Sequence, residues 1–479
     1  MGPESRQLTV RLSQVFHREL GETNVLNVYS VGALDFEHGA LAASGNIEAI
    51  PRVIRRLRPQ SQQAFVRKVK LVGDNAEPRG GVRSMTSSWD SSVWVDRKVL
   101  APNIEDRRTI ITLAELAANA YVPTPHQGDW TNISNSDFKH HDGFGWMDDG
   151  VRGYVFSSDD EKLVIISIKG TSAAIFDDGG PTAPNDKIND NLFFSCCCSR
   201  VSYMWNTVCD CYMGQEKRTG KQLCDENCLE SELFREDRYY RGILDIYEEV
   251  SARYPKATIW ATGHSLGGAL AVMLGRTYGL PVVTYEAPGD DLAIRRLHLP
   301  RPPGQSVFDD HVWQFGHNAD PIFTGDCVGT GSTCWLTGYA METRCHSGLI
   351  CSYDVISDLG WRSSIANHRI HVVIDDVLEA YNTTAECKVP SECHDCEDWQ
   401  FVDLLQQPAP TTTSISAPPK PTTAPTSSVK STPATTRTES VCLTRAWYGR
   451  CLEWGQPTAT VPALPPPTAA PALHNDIYY

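Results

Sequence analysis

No apolar run in this chain approaches the roughly 20 residues that a membrane-spanning helix needs, so none is expected. Positive charge is also short. Lys and Arg number 43 against 58 Asp and Glu, a formal net charge of −15, which argues against general nucleic-acid binding. The start, Met1-Gly2-Pro3-Glu4-Ser5-Arg6, has no apolar segment behind it and does not form a signal peptide. Gly2 makes no myristoylation site, because Arg6 stands where Ser or Thr is needed. A zinc ribbon lacks its second half: Cys393-His394-Asp395-Cys396 is a C-x-x-C with no correctly spaced partner.

Cysteine, by contrast, is plentiful. The 16 residues cluster at 196–228, 327–351, 387–396 and 442–451. An even count in polar, loop-like surroundings predicts disulfides and an oxidising compartment, with zinc as the weaker alternative. Two N-glycosylation sequons, at Asn132 and Asn382, agree with a secretory route. That route conflicts with the leaderless start, and the simplest resolution is a chain start that lacks a leader or anchor.

The 479 residues suffice for one large core plus appendages. Residues 1–100 are expected to be a strand-rich extension packed on the main domain. Val25–Val31 and Phe65–Leu71 are their predicted strands. Arg52, Arg55, Arg56, Arg58, Arg67, Lys68 and Lys70 form a basic stretch, either a solvated face or a contact for anionic lipid head groups. Residues 101–405 carry the main domain, with a cysteine-rich insert at 192–231. Residues 407–440, dense in Pro, Thr and Ser, cannot build a core and are expected to be a disordered stalk. Residues 441–479 form a mostly disordered tail in which Cys442 and Cys451 bracket an aromatic loop.

Chemistry is readable around Gly263-His264-Ser265-Leu266-Gly267, which fits G-x-S-x-G. A β-branched apolar run precedes it at 257–262, and a small-residue apolar run follows at 268–275. Strand, tight turn and helix are the context a nucleophile elbow needs. There the serine sits in a strained turn at a helix N-terminus, where peptide dipoles favour developing negative charge. Thr109–Tyr121 and Leu233–Tyr254 have helical spacing, while 153–156, 163–168, 280–285 and 311–315 read as strands. This alternation predicts an α/β fold with a mostly parallel central sheet and helices on both faces.

A serine nucleophile needs a base and a carboxylate to orient it. Asp320 follows a predicted strand and precedes Pro321; Asp309, Asp310 and Asp326 are rivals further from a strand end. His368 stands at a loop-to-helix boundary and is preferred over His371, inside the helix; His264 and His346 are poorer candidates. The strand ending in Lys169-Gly170-Thr171 offers an oxyanion element, with Thr171 and the N–H of Leu266 as donors. The glycine- and proline-bearing segment Ser172–Asn191 is a candidate lid.

Together, Lys169-Gly170-Thr171, Gly263-His264-Ser265-Leu266-Gly267-Gly268 and Asn318-Ala319-Asp320-Pro321 resemble the class 3, fungal-type triacylglycerol lipases. Cys196-Cys197-Cys198, the segment Tyr285-Glu286-Ala287-Pro288-Gly289-Asp290 and His368-Arg369-Ile370 narrow the resemblance to the fungal autophagy-related lipases, over about residues 10–405. It implies an α/β-hydrolase fold with Ser265, Asp320 and His368 as charge relay; separately, no cofactor or metal is expected. It also implies action on triacylglycerol and phospholipid in vesicle membranes, in the lysis of autophagic bodies. Members of that family begin with a short cytosolic tail and one signal-anchor helix in type II topology; no such helix is expected from the residues of this sequence. An esterase for soluble substrates and a catalytically silent membrane-binding homologue are the competing readings.

Overall fold

The computed structural model describes residues 6–19, 26–30, 46–74, 81–87, 89–123, 125, 127–131, 150–172, 183–198, 207–328, 331–403, 441–445 and 451–455. Asn132, the 407–440 stretch and most of the tail lie outside the described residues. Residues 1–408 and 409–479 form two units. In the second, Val441–Arg445 and Cys451–Gly455 pair as an antiparallel hairpin.

Eleven strands of the first unit form one sheet. In chain order, β1 (Arg6–Glu19), β2 (Leu26–Ser30), β3 (Asn46–Leu57) and β4 (Trp94–Pro102) precede the hairpin of β5 (Gly150–Ser158) and β6 (Leu163–Ile168). Next come a small pair in the insert, β7 (Tyr212–Gln215) and β8 (Gln222–Asp225), which belongs to a separate sheet. The main sheet resumes with β9 (Thr258–His264), β10 (Val282–Tyr285), β11 (Val312–His317), β12 (Leu349–Tyr353) and β13 (Cys387–Lys388). Their spatial order is β13-β12-β11-β10-β9-β6-β5-β1-β3-β4, with β2 beside β1. The central five, β6 and β9 to β12, are parallel, and antiparallel strands extend the sheet on either side. This is the α/β-hydrolase arrangement.

Strand periodicity builds two cores, one on each face. Along β6, Val164, Ile166 and Ile168 enter one core while Leu163 and Ile165 enter the other. The first core is covered by α1 (Pro59–Gly73), the short α2 (Gly81–Thr86), and further on by the helices that flank the insert and elbow. The second is covered by α3 (Arg107–Asn119), whose Asp106 caps the Thr109 N–H at 2.9 Å. α4 (Ala183–Phe193), α5 (Glu226–Leu233), α6 (Tyr239–Arg253) and α7 (Leu266–Tyr278) follow. α7 is buried all round, as its small apolar residues require, and stops at Gly279 in the left-handed region with φ 66°.

Two expectations are corrected, and a third is described only in part. Phe65–Leu71 is not a strand but the middle of α1: Pro59 opens the helix, and Phe65, Val66, Val69 and Val72 make its buried stripe. The long helix from Leu233 is two helices. Arg238 is extended (φ −108°, ψ 151°), and α6 begins only at Tyr239. The candidate lid is a helix in its second half. α4 covers Ala183 onward, with Asp186, Asn189 and Asp190 buried, while residues 173–182 lie outside the description.

Seven disulfides join the 14 cysteines of the first unit. Cys197–Cys224, Cys198–Cys209 and Cys211–Cys228 staple the insert, and Cys196–Cys396 ties it to the domain's end. Cys393 bonds Cys345, so both sulfurs of the C-x-x-C are spent and the zinc alternative falls. The basic stretch runs from β3 through the N-cap residue Arg58 into α1, and two of its members are ion-paired: Arg55 with Asp96 at 2.7 Å, and Lys70 with Asp245 and Glu248 at 2.8 Å.

Candidate active site

Ser265 stands between β9 and α7 with φ 57° and ψ −130°, a conformation that costs a residue with a side chain. Close packing enforces it. A Cβ on Gly267 would lie 2.2 Å from the Ile168 carbonyl oxygen, so only glycine lets α7 approach β6. Being at the helix N-cap, Ser265 precedes N–H groups that have no intrahelical acceptor, and its own side chain caps none of them. The Leu266 N–H is the first of these donors.

Asp320 lies three residues beyond β11, fully buried. His368 ends a short 3-10 turn, Ile365–His368, that precedes the C-terminal helical segment. The two meet with Nδ1 and Oδ2 at 2.6 Å, and His368 Nε2 lies 2.8 Å from Ser265 Oγ. Serine, histidine and aspartate thus form one hydrogen-bonded chain across the C-terminal ends of the parallel strands. Burial alone would raise the Asp320 carboxyl, but the His368 charge and hydrogen bonds from His368, Glu286 and the Ile322 N–H hold it below the usual carboxylate range. His371, Asp309, Asp310 and Asp326 are not part of this chain of hydrogen bonds.

His264, set aside as a base, supports the relay instead. Its Nε2–H donates to the His368 carbonyl oxygen at 2.7 Å, and its Nδ1 accepts from the Tyr121 hydroxyl at 2.7 Å. Both nitrogens are used, and burial pushes its pKa down to about 3, so the ring is neutral.

Thr171, the candidate oxyanion residue, lies three residues beyond the end of β6 and beside α4. The Thr171 hydroxyl and the Asp190 carboxyl are hydrogen-bonded at 2.6 Å. Beside them, Lys169 Nζ donates to Asp186 at 3.0 Å, and Asp186 also accepts from the Ser172 N–H and the Tyr239 hydroxyl. Burial pushes Asp190 up to about 8, against the Thr171 hydrogen bond. These two aspartates were not anticipated; the polar run Asn185–Asn191 inside an apolar domain was their only trace. Glu286, directly after β10, was also not given a role, although an acid at the end of an apolar strand is the pattern that singled out Asp320.

Among the other expected sites, Asn382 is exposed in a bend. A cavity of about 710 Å³ opens at the N-terminal ends of β11 and β12, lined by Arg52, Glu105, Asp309, His311 and Glu386 among others. No residue of the serine relay lines it.

The family described as "Lipase (class 3)" matches residues 195–278, from the insert through the elbow to the end of α7. A Yarrowia lipolytica protein named "Putative lipase ATG15" is 53% identical over 377 residues, 75% of this chain and 66% of the relative. The Candida glabrata protein of the same name is 42% identical over 455 residues, 94% of this chain and 86% of the relative. Among solved structures, the Lip2 lipase of Yarrowia lipolytica is 17% identical and covers 51% of this chain and 78% of that one, at a TM-score of 0.26. The fold assignment rests on the sheet order and the elbow rather than on that score. On identity that runs over 86% of the Candida glabrata relative's length, this chain belongs to the ATG15 family of lipases.

Proposed function

We propose that the protein is a serine hydrolase of lipid esters, acting on triacylglycerol and phospholipid in vesicle membranes. The observation that carries the proposal is the unbroken relay from Asp320 through His368 to a strained elbow serine, with contacts of 2.6 and 2.8 Å. Ser265 Oγ attacks the ester carbonyl carbon while His368 Nε2 takes its proton. Asp320 holds the imidazole by its Nδ1–H and stabilises the imidazolium. Negative charge moves to the carbonyl oxygen, where the Leu266 N–H and Thr171 are the donors. Collapse of the tetrahedral intermediate expels the glycerol or lysophospholipid alcohol, which takes the proton from His368. Water, activated by the same histidine, then releases the fatty acid from Ser265.

The family resemblance supports a setting as well as a reaction: disassembly of autophagic bodies and other vesicles within the vacuole, reached through endosomes by the secretory route. Seven disulfides and an exposed sequon at Asn382 agree with an oxidising compartment. The test is fatty-acid release from mixed phospholipid and triolein vesicles by the disulfide-formed protein, beside Ser265→Ala. Release by the parent alone is expected. Equal release by Ser265→Ala would refute the mechanism, and hydrolysis confined to soluble esters would refute the lipid substrate.

A further inference from the structure

The serine relay leaves one buried lysine unexplained. Lys169 and Asp186 have side chains 4% and 3% exposed, and Lys169 Nζ lies 3.0 Å from Asp186 Oδ2. Burial pushes the Lys169 ammonium down from its ordinary range, and the Asp186 charge opposes that shift. A buried ion pair is weak evidence for stability, since desolvation of both charges offsets much of their attraction. What the pair holds is more informative. Lys169 Nζ also donates to the Gly170 carbonyl oxygen at 2.8 Å. Asp186 Oδ2 accepts the Ser172 N–H at 2.9 Å, and its Oδ1 accepts the Tyr239 hydroxyl at 2.6 Å.

Thr171 stands between these two contacts. No peptide bond among the described residues is cis, so the carbonyl and the N–H of the Gly170–Thr171 peptide point in opposite directions. Fixing the Gly170 oxygen on Lys169 Nζ therefore fixes the direction of the Thr171 N–H. The next peptide, Thr171–Ser172, is fixed through its own N–H on Asp186. The Thr171 hydroxyl meets Asp190, which lies one turn beyond Asp186 on the same face of α4. Gly170 itself packs on the elbow, where a Cβ would stand 3.2 Å from the Ser265 Cβ. Among the described residues the Thr171 N–H has no acceptor. A directed N–H without an acceptor, close to the nucleophile, is what a developing oxyanion needs.

We propose that Lys169 is a positioning residue: held by Asp186, its Nζ pins the Gly170 carbonyl and so aims the Thr171 N–H at the oxyanion that forms on the substrate. The proposal rests on the reading of Ser265 as nucleophile and of Thr171 as an oxyanion donor. Lys169 touches no reacting atom and acts through a single peptide plane. A donor set in advance costs no reorganisation when charge develops, so its worth is felt in the transition state rather than in the bound ester. A methionine at this position has the length of the lysine stem but no hydrogen to donate. The Gly170–Thr171 peptide then loses its restraint, and the N–H turns away from the oxyanion for part of the time.

The experiment uses the full chain with disulfides formed: the parent, Lys169→Met, Asp186→Asn and the double variant carrying both changes. Each is measured for thermal midpoint, for kcat and KM on a soluble short-chain ester, and for affinity toward a trifluoromethyl ketone, which adds Ser265 Oγ to give a tetrahedral oxyanion. Lys169→Met strands the Asp186 charge and is expected to melt at a lower temperature. The double variant removes both charges and keeps an acceptor for the Ser172 N–H, so its midpoint is expected to recover. Its kcat is expected to stay about ten- to a hundredfold below the parent, with KM nearly unchanged and the ketone weakened in parallel; outright removal of an oxyanion donor costs about 10²–10³-fold. Asp186→Asn keeps the lysine as donor to Gly170, and its kcat is expected within about threefold of the parent. Recovery of kcat together with the midpoint in the double variant would mean that the pair is only structural. A loss carried by KM would mean that it shapes the substrate pocket. Equal kcat losses in Asp186→Asn and Lys169→Met would assign the effect to the ion pair rather than to the donor. Any of the three overturns the proposal. If Lys169→Met alone fails to fold, the double variant set against Asp186→Asn makes the same comparison. Full hydrolysis by Ser265→Ala would instead sink the nucleophile, an outcome separate from any result at Lys169.

Discussion

His264 donates its Nε2–H to the backbone carbonyl of His368 at 2.7 Å, so the residue beside the nucleophile holds the main chain of the residue proposed as its base. The tautomer this needs is fixed from the other side by the Tyr121 hydroxyl on Nδ1. Tyr121→Phe leaves that nitrogen a buried acceptor without a donor. The expected cost is about 1–3 kcal/mol of stability, measured by denaturant unfolding. kcat is expected to fall by roughly one decade as His368 loses its anchor, equivalent to about 1.4 kcal/mol. The pH dependence has a definite sign. A histidine pushed from 6.5 down to about 3 contributes stability above pH 6.5, and that stability is lost as pH falls toward 3. His264→Gln should lose part of this acid slope in thermal unfolding.

Asp190 makes the opposite prediction. Burial raises it to about 8, so at neutral pH the carboxyl 2.6 Å from the Thr171 hydroxyl keeps its proton and competes less for the hydroxyl hydrogen that the proposed oxyanion role needs. Its stabilising contribution is complete below about pH 4 and is lost as pH rises through 8. Ionised Asp190 would instead claim the Thr171 hydrogen. Activity is therefore expected to fall on the alkaline side near pH 8, with kcat more affected than KM. Asp190→Asn, which does not ionise, should lose this limb and melt at a temperature less sensitive to pH between 4 and 8. An unchanged alkaline limb in that variant would defeat the assignment.

Legibility in the sequence followed the range of the interactions. The elbow was readable because strand, turn and helix lie within some twenty consecutive residues and the glycines are required by local contact, as at Gly267. Asp320 was picked out by its place after a strand and His368 by its place before a helix, and the structure sets both in one hydrogen-bonded chain with Ser265. What the sequence hid was partner choice over long separations. Glu286 meets the His317 N–H only because β10 and β11 lie side by side, and Asp190 meets Thr171 only because α4 packs beside the end of β6. α1 was misread for a different reason. Phe65, Val66 and Val69 interleave with Arg67, Lys68 and Lys70, and over seven residues that pattern fits a strand as well as a helix. Disulfide pairing was closed to sequence altogether, since Cys196 finds its partner 200 residues away.

Gly170 is a sharp test of how tightly the segment after β6 meets the elbow. A Cβ there would stand 2.1 Å from the Tyr121 hydroxyl oxygen and 2.4 Å from the His264 carbonyl oxygen. The second of these is backbone and cannot swing aside. Gly170→Ala is expected to destabilise the protein by about 1–3 kcal/mol, as overpacking does. It should also depress kcat further than Tyr121→Phe, because it displaces both the Tyr121 anchor and the strand carrying Thr171. Wild-type turnover in a folded Gly170→Ala protein would show that β6 and the elbow can separate without loss.

The Cys196–Cys396 bond closes the longest loop in the described structure and joins the insert to the residues just past the C-terminal helical segment. Chain-entropy reasoning assigns most stabilisation to such long closures, at about 5 kcal/mol in the ideal case and about 2–5 kcal/mol typically. The double variant Cys196→Ser, Cys396→Ser removes this bond without freeing a thiol to reshuffle. Its unfolding free energy should fall by that amount, with the relay geometry and hence kcat on a soluble ester nearly unchanged at low temperature. Cys198–Cys209 closes a loop of only 11 residues, and the matching double variant should cost less. If the short-loop variant proved the more damaging, the stabilisation would lie in native packing of the insert rather than in the restricted unfolded chain, and comparison of the denaturant m-values would locate it.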